Sequence, residues 1–147
     1  MVLSQDFKEF ITLLNTHKVR YLVIGGYAVA FHGYPRYTKD IDIWYERTPE
    51  NAAKLLDVLE EFGFGSLGLT LQDFLIPDQT IQLGRPPNRI DLITSLGHLD
   101  FATCYDLKIE ETFQDVCLVF IDREHLKESK RLAGRHQDLA DIENLTE

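Results

Sequence analysis

Asp40 and Asp42 alternate with Ile41 and Ile43 in the run TKDIDIWYE, and a third aspartate, Asp91, sits in a similar apolar setting within RIDLI. Successive side chains of a strand point to opposite faces. Asp40 and Asp42 therefore share one face, roughly 6 to 7 Å apart at the backbone, while Ile41, Ile43 and Tyr45 turn towards a core. Two carboxylates on one face repel each other unless a cation sits between them. Asp91, on a strand able to lie beside theirs, adds a third hard oxygen donor, and with no Cys/His cluster the set suits magnesium (or manganese) better than zinc. Upstream, the apolar YLVI meets Gly25-Gly26 and then the helix-compatible AVAFHGY. Strand, glycine turn, helix is an order that presents free backbone N–H groups to an anion. Alone, Asp-x-Asp is most often a solvated strand face and Gly-Gly a plain turn. Three such signals in one chain point to metal-assisted phosphoryl chemistry on a nucleotide.

The elements that must position these residues follow from periodicity and turn residues. Ser4 caps a helix over about 5–17, with Phe7, Phe10, Ile11, Leu13 and Leu14 inward. A buried strand spans 21–24, a helix follows the glycines over 28–34 and ends at Gly33-Tyr34-Pro35, and a strand covers 40–46. Thr48 and Pro49 open a helix whose inner stripe is Ala52, Leu55, Leu56, Leu59 and Phe62; Gly63 and Gly65 stop it. An edge strand is expected over 76–83 despite Pro77, then a Gly84-Arg85-Pro86-Pro87 turn and a strand over 89–94. A hairpin, 107–113 and 116–121, turns at Gln114-Asp115, and Asp122 caps a helix that ends at Gly134, before a last one over 136–145. The expectation is an α/β (α+β) fold, a small mixed sheet with helices packed on one face and a short C-terminal helical pair. It forms a single domain over 1–147, with a core of about 18–121 and closing helices over about 122–146.

With 147 residues the chain can bury a core without disulfides. Asp and Glu number 24 against 15 Lys and Arg, a formal charge of −9, so the general basic footprint of a nucleic-acid binder is missing and any polyanion must meet a local patch. Cys104 and Cys117 show no CxxC spacing and no secretory signal pattern is visible, so reduced thiols and a cytoplasmic location are expected. No apolar run is long enough for a membrane span.

Three blocks, GGYAVAFHGYPRYTKDIDIW, GRPPNRIDLITSL and KESKRLAGRHQDLADIENL, occur in an order that resembles the minimal nucleotidyltransferases of the DNA polymerase beta superfamily, most closely the AbiEii-type branch of toxin-antitoxin and abortive-infection systems. The likeness covers about 21–145. It implies that Gly25, Gly26 and Thr38 bind phosphate and that Asp40 and Asp42 are a metal-binding pair. Asp91 matches the third carboxylate, which in that family ligates the catalytic metal and activates the acceptor hydroxyl. Lys130 matches a lysine placed to meet the triphosphate, and Arg36 is a second phosphate candidate. The implied reaction moves an NMP from an NTP, with Mg2+ or Mn2+, to an acceptor that is a tRNA end, a protein side chain or a small molecule. An antitoxin or other partner chain is a further implied partner.

The remaining residues carry duller readings. Arg123, Lys127, Lys130, Arg131 and Arg135 form a basic helix face, but Glu124 and Glu128 at helical spacing offer surface ion pairs instead. Trp44 shares the side of Asp42, as a pocket wall or a structural aromatic. His17, His32, His98, His125 and His136 lack metal-ligand spacing and read as structural or surface groups. The rival to an enzyme is a catalytically silent nucleotide-binding or protein-interaction module that needs a partner chain.

Overall fold

The computed structural model describes residues 3–33, 40–85, 88–134 and 136–146, apart from the side chains at 136, 137 and 146. Strands β1 (Tyr21–Ile24), β2 (Asp40–Tyr45), β3 (Thr80–Leu83), β4 (Arg89–Ile93), β5 (Ile109–Phe113) and β6 (Val116–Phe120) form one mixed sheet in the order β3-β4-β2-β1-β6-β5. β1 runs antiparallel to β2 and parallel to β6, and β2 runs parallel to β4. The segments around Leu22, Asp42 and Asp91 are thus three adjacent strands.

One face of this sheet is a continuous apolar surface. Val23 pairs with Ile43, Ile41 with Ile90 and Ile43 with Leu92, all buried. Helices α1 (Gln5–Thr16) and α3 (Pro49–Phe62) supply the other half of that core and meet through Phe10 and Phe62, whose rings lie edge to face at 5.2 Å. Ser4 accepts from Phe7 N at 3.2 Å and Thr48 from Asn51 N at 3.3 Å, so both helices start at the expected caps. Gly63, in the left-handed region, ends α3. Buried Asn51 then ties α3 to the sheet: its amide accepts from Arg20 N at 2.8 Å and donates to Arg20 O at 3.0 Å and Glu46 O at 2.8 Å.

The opposite face carries Asp40, Asp42 and Trp44. Trp44 is buried, edge-on to Phe101 of α4 (Phe101–Asp106) at 5.1 Å, and with Phe101, Thr94 and Asp100 it lines a cavity of about 280 Å³, so it is at once a packed aromatic and part of a pocket wall. α4 has no counterpart in the sequence reading. Asp100 starts it by accepting from Thr103 N, and Leu107 closes it. The first hairpin strand therefore begins at Ile109 and not at 107. The hairpin turns on Gln114 and Asp115, both at positive φ (51° and 69°), as the two-residue turn that suits strand twist demands.

Two further boundaries shift. Helix α2 (Gly25–Phe31) starts at the first glycine, three residues before the expected 28, because β1 and the helix join with no loop between them. β3 begins at Thr80 where 76 was expected: Pro77 has no N–H to pair and Asp78 adopts φ 57°, so the ladder opens only beyond them. Between α3 and β3 the chain makes two short 3-10 turns, Gly65–Leu67 and Leu71–Leu75, the second holding Phe74 beneath Tyr45. The closing pair, α5 (Arg123–Ala133) and α6 (His136–Thr146), packs together, and α5 also touches α2. Among the described residues no helix is long and apolar enough to cross a membrane.

Candidate active site

Parallel pairing of β2 with β4 sets Asp40 opposite Arg89 and Asp42 opposite Asp91. Register partners on neighbouring strands point the same way, so strand alternation and sheet pairing together bring Asp40, Asp42 and Asp91 onto one patch. Asp91 is 6% exposed, close enough to Asp42 to repel its charge and to hydrogen-bond it. Burial is the largest reason that the Asp42 carboxyl is pushed up to about 7, followed by the Asp91 charge and hydrogen bond, with Asp40 adding a smaller push. Among the described residues, the Lys130 charge pulls it back down. A carboxyl whose proton is retained first by burial and then by two neighbouring carboxylates marks a site short of positive charge.

Part of that deficit is met by a residue the sequence reading passed over. Arg89 donates through Nε to Asp91 Oδ1 (2.9 Å) and through Nη2 to Asp91 Oδ2 (3.0 Å) and Asp40 Oδ2 (2.8 Å). The carboxylates, Asp91 foremost, raise its own pKa further. In Arg89-Ile90-Asp91 the arginine lies two residues before the acid, so both project from one face of β4, and the register with Asp40 brings the second carboxylate within reach. Among the described residues no three of His, Cys, Asp and Glu stand ready as a cage for an ion.

Gly25 closes the other side. Its φ is +68°, and a Cβ placed on it would lie 2.1 Å from Asp42 Oδ2. Only a residue without a side chain lets the start of α2 press against this carboxylate. Gly26, the next residue, is buried in the same turn. Lys130 comes from α5, 7% exposed at its side chain, with Nζ 3.3 Å from Asp138 Oδ1 and 3.2 Å from Asp141 Oδ2 of α6. The closing helices thereby set a buried ammonium where Asp42 feels its field. Arg36 and Thr38 lie outside the described residues.

Three hard carboxylates on one patch, one of them cradled by a glycine backbone, have the donor chemistry that a divalent magnesium-type ion takes. The donor types suit such an ion, while oxygens of Asp40 and Asp91 are held by the Arg89 guanidinium.

No family model matches the chain, and no curated protein matches it in sequence. Solved structures do. The lincosamide antibiotic adenylyltransferase LnuA, in its lincomycin-bound form, superposes with a TM-score of 0.56 at 17% identity, over 99% of this chain and 97% of its own. A protein of Thermotoga maritima provisionally assigned as a nucleotidyltransferase gives 0.60 at 14% identity, over 94% of this chain and 88% of its own. The chain has the nucleotidyltransferase fold. At these identities the likeness establishes architecture, and the six-stranded mixed sheet with its helices is that architecture.

Other candidates resolve into structural roles. Lys127 pairs with Glu124 and Arg131 with Glu128, while Arg123 donates to His32 O at 2.8 Å, so most of the basic face of α5 is spent on local contacts. His17 bonds Glu61, His32 bonds Ile121 O and His125 bonds Asp122. Cys104 and Cys117 are free thiols, and burial pushes Cys104 up to about 11, far from a reactive thiolate.

Proposed function

We propose that this protein is a metal-dependent nucleotidyltransferase that moves an NMP from an NTP to an acceptor hydroxyl. The observation that carries the reading is the register pair Asp42 and Asp91 on adjacent parallel strands, with Gly25 pressed against the Asp42 carboxylate, on a fold shared with nucleotidyltransferases. Asp40, Asp42 and Asp91 are the residues to hold Mg2+ or Mn2+, which when bound supplies charge neutralisation on the phosphates. Asp91, half of the buried pair, is the group to take the acceptor hydroxyl proton. Gly25 and Gly26, at the first turn of α2, offer backbone N–H groups to the phosphates. Lys130, Arg36 and Thr38 are assigned on sequence grounds to the triphosphate end, where Lys130 would balance the negative charge that builds on the departing pyrophosphate.

Among acceptors, a small hydroxyl compound is the one we favour. A net charge of −9 opposes a polyanion, and one structural neighbour, alike over 99% of this chain, is an antibiotic adenylyltransferase. Incubation with each α-labelled NTP, Mg2+ or Mn2+ and a panel of lincosamides, other hydroxylated antibiotics, total RNA and cell extract tests this. Label should reach an acceptor with the parent protein and be lost, by about a hundredfold or more, in Asp42→Asn. The finer placement in the AbiEii-type toxin branch rests on the order of the sequence blocks. It predicts that expression arrests growth in the cytoplasm and that Asp42→Asn relieves the arrest.

The silent-module reading also has an observation in its favour, the Arg89 guanidinium seated on Asp40 and Asp91. Nucleotide binding without transfer to any acceptor, with and without candidate partner chains, would decide for it.

A further inference from the structure

We infer that Arg89 is a resident counter-cation of the carboxylate patch, which holds Asp40 and Asp91 in place and competes with the divalent ion for the same oxygens. The inference rests on the reading that these carboxylates are the metal ligands.

The geometry is specific to this side chain. The fork spans two strands: Nε and Nη2 grip both oxygens of Asp91 on its own strand, and Nη2 also reaches Asp40 Oδ2 across the pair. Bidentate arginine to carboxylate is the strongest of the common side-chain pairings, and here it is sheltered, with Arg89 at 27% and Asp91 at 9% side-chain exposure. A lysine or an incoming ion held by one carboxylate could not set the spacing between two strands in this way.

The same contacts limit what else can bind. A magnesium-type ion demands oxygen ligands at about 2.1 Å in near-octahedral array, and three carboxylate oxygens of the patch already accept from the guanidinium. Two cations drawn to one pair of carboxylates repel each other. Occupation by the ion must therefore weaken the Arg89 contacts, at least that to Asp40, the single-bonded one. Arg89 on this account is a positioning residue: it keeps like charges together until the ion arrives, at the cost of ion affinity.

The competition predicts that removing the guanidinium tightens ion binding. Isothermal titration of Mn2+ into the parent, Arg89→Met and Arg89→Lys, without nucleotide, reads it directly, with circular dichroism to confirm folding. Arg89→Met should bind the ion more tightly by about fivefold or more, the low end of coupling between competing ligands. Arg89→Lys, which keeps the charge and loses the fork, should fall between, and should exceed the parent even if Arg89→Met does not fold. In chelator Arg89→Met should also melt below the parent, and Mn2+ should raise its melting temperature by more. Equal or weaker ion binding in both variants overturns the inference and leaves the enzyme reading standing. Tighter binding in the variants with no label transfer by the parent supports it and contradicts turnover. No saturable ion binding by parent or variants overturns both.

Discussion

At the residue scale the patch is governed by charge. Asp42 holds its proton to about 7 in the folded protein against 3.8 as a free side chain, so the folded state retains a proton that the unfolded chain gives up between those values. Stability must then fall as pH rises across that window, by up to a few kcal/mol from this group, and level off above it. Thermal melts in chelator across the window should show the decline, and Asp42→Asn should flatten it; an unchanged slope in the variant would assign the effect elsewhere. The same proton must leave for a cation to bind, so Mn2+ affinity should rise with pH through about 7. Gly25→Ala is strained twice, by a positive φ and by collision with Asp42 Oδ2, and should cost about 2 kcal/mol or more in denaturant melts together with the site's geometry. The three aspartates were legible in the sequence because alternation with isoleucine and leucine fixes their face. Arg89 was not, since nothing local says whether an arginine two residues before an acid reaches solvent or reaches across to a neighbouring strand; only the Asp40–Arg89 register settles that.

At the scale of elements, the site depends on how β1, β2 and the closing helices are fastened. Asn51 satisfies backbone groups at the ends of both β1 and β2 from the first turn of α3, and Asn51→Ala leaves them buried without that partner. We expect a loss of about 2 kcal/mol in urea unfolding, with Asn51→Asp recovering little because it cannot donate. Lys130 joins α5 to α6 through Asp138 and Asp141, both nearly fully buried. Lys130→Met removes a cation from two buried acids and should destabilise by about 3 kcal/mol, read as early loss of α6 protection in hydrogen exchange. Elements with a cap and a long periodic stripe, such as α1 and α3, were readable to within a residue or two. α4 was not: at six residues it carries too little period, and its Asp100 cap is visible mainly in retrospect. The early start of α2 escaped for another reason, that a glycine pair reads as a breaker, and what excludes a side chain at Gly25 is Asp42, a residue 17 positions on.

At the scale of the whole molecule, the sheet order places β2 between β1 and β4, so one central strand carries two of the acids while its neighbours bring the glycine bend and the third. The central strands follow from the sequence because β1, β4 and β6 are short and mostly apolar, and the closing helical pair follows from the Asp122 cap and the Gly134 stop; the covering of the Asp-bearing face by α4 does not, since it depends on a distant contact between Trp44 and Phe101. A net charge of −9 predicts weak association with RNA, vanishing in filter binding as salt is raised to physiological levels, whereas a small neutral acceptor would show no such dependence. The most direct test of the account is a crystal of the protein with Mn2+ and a non-hydrolysable NTP, read at the manganese absorption edge. An anomalous peak in contact with Asp42 and Asp91 is expected, with the triphosphate running towards Gly25 and Lys130. Nucleotide bound with no manganese at those carboxylates would contradict it.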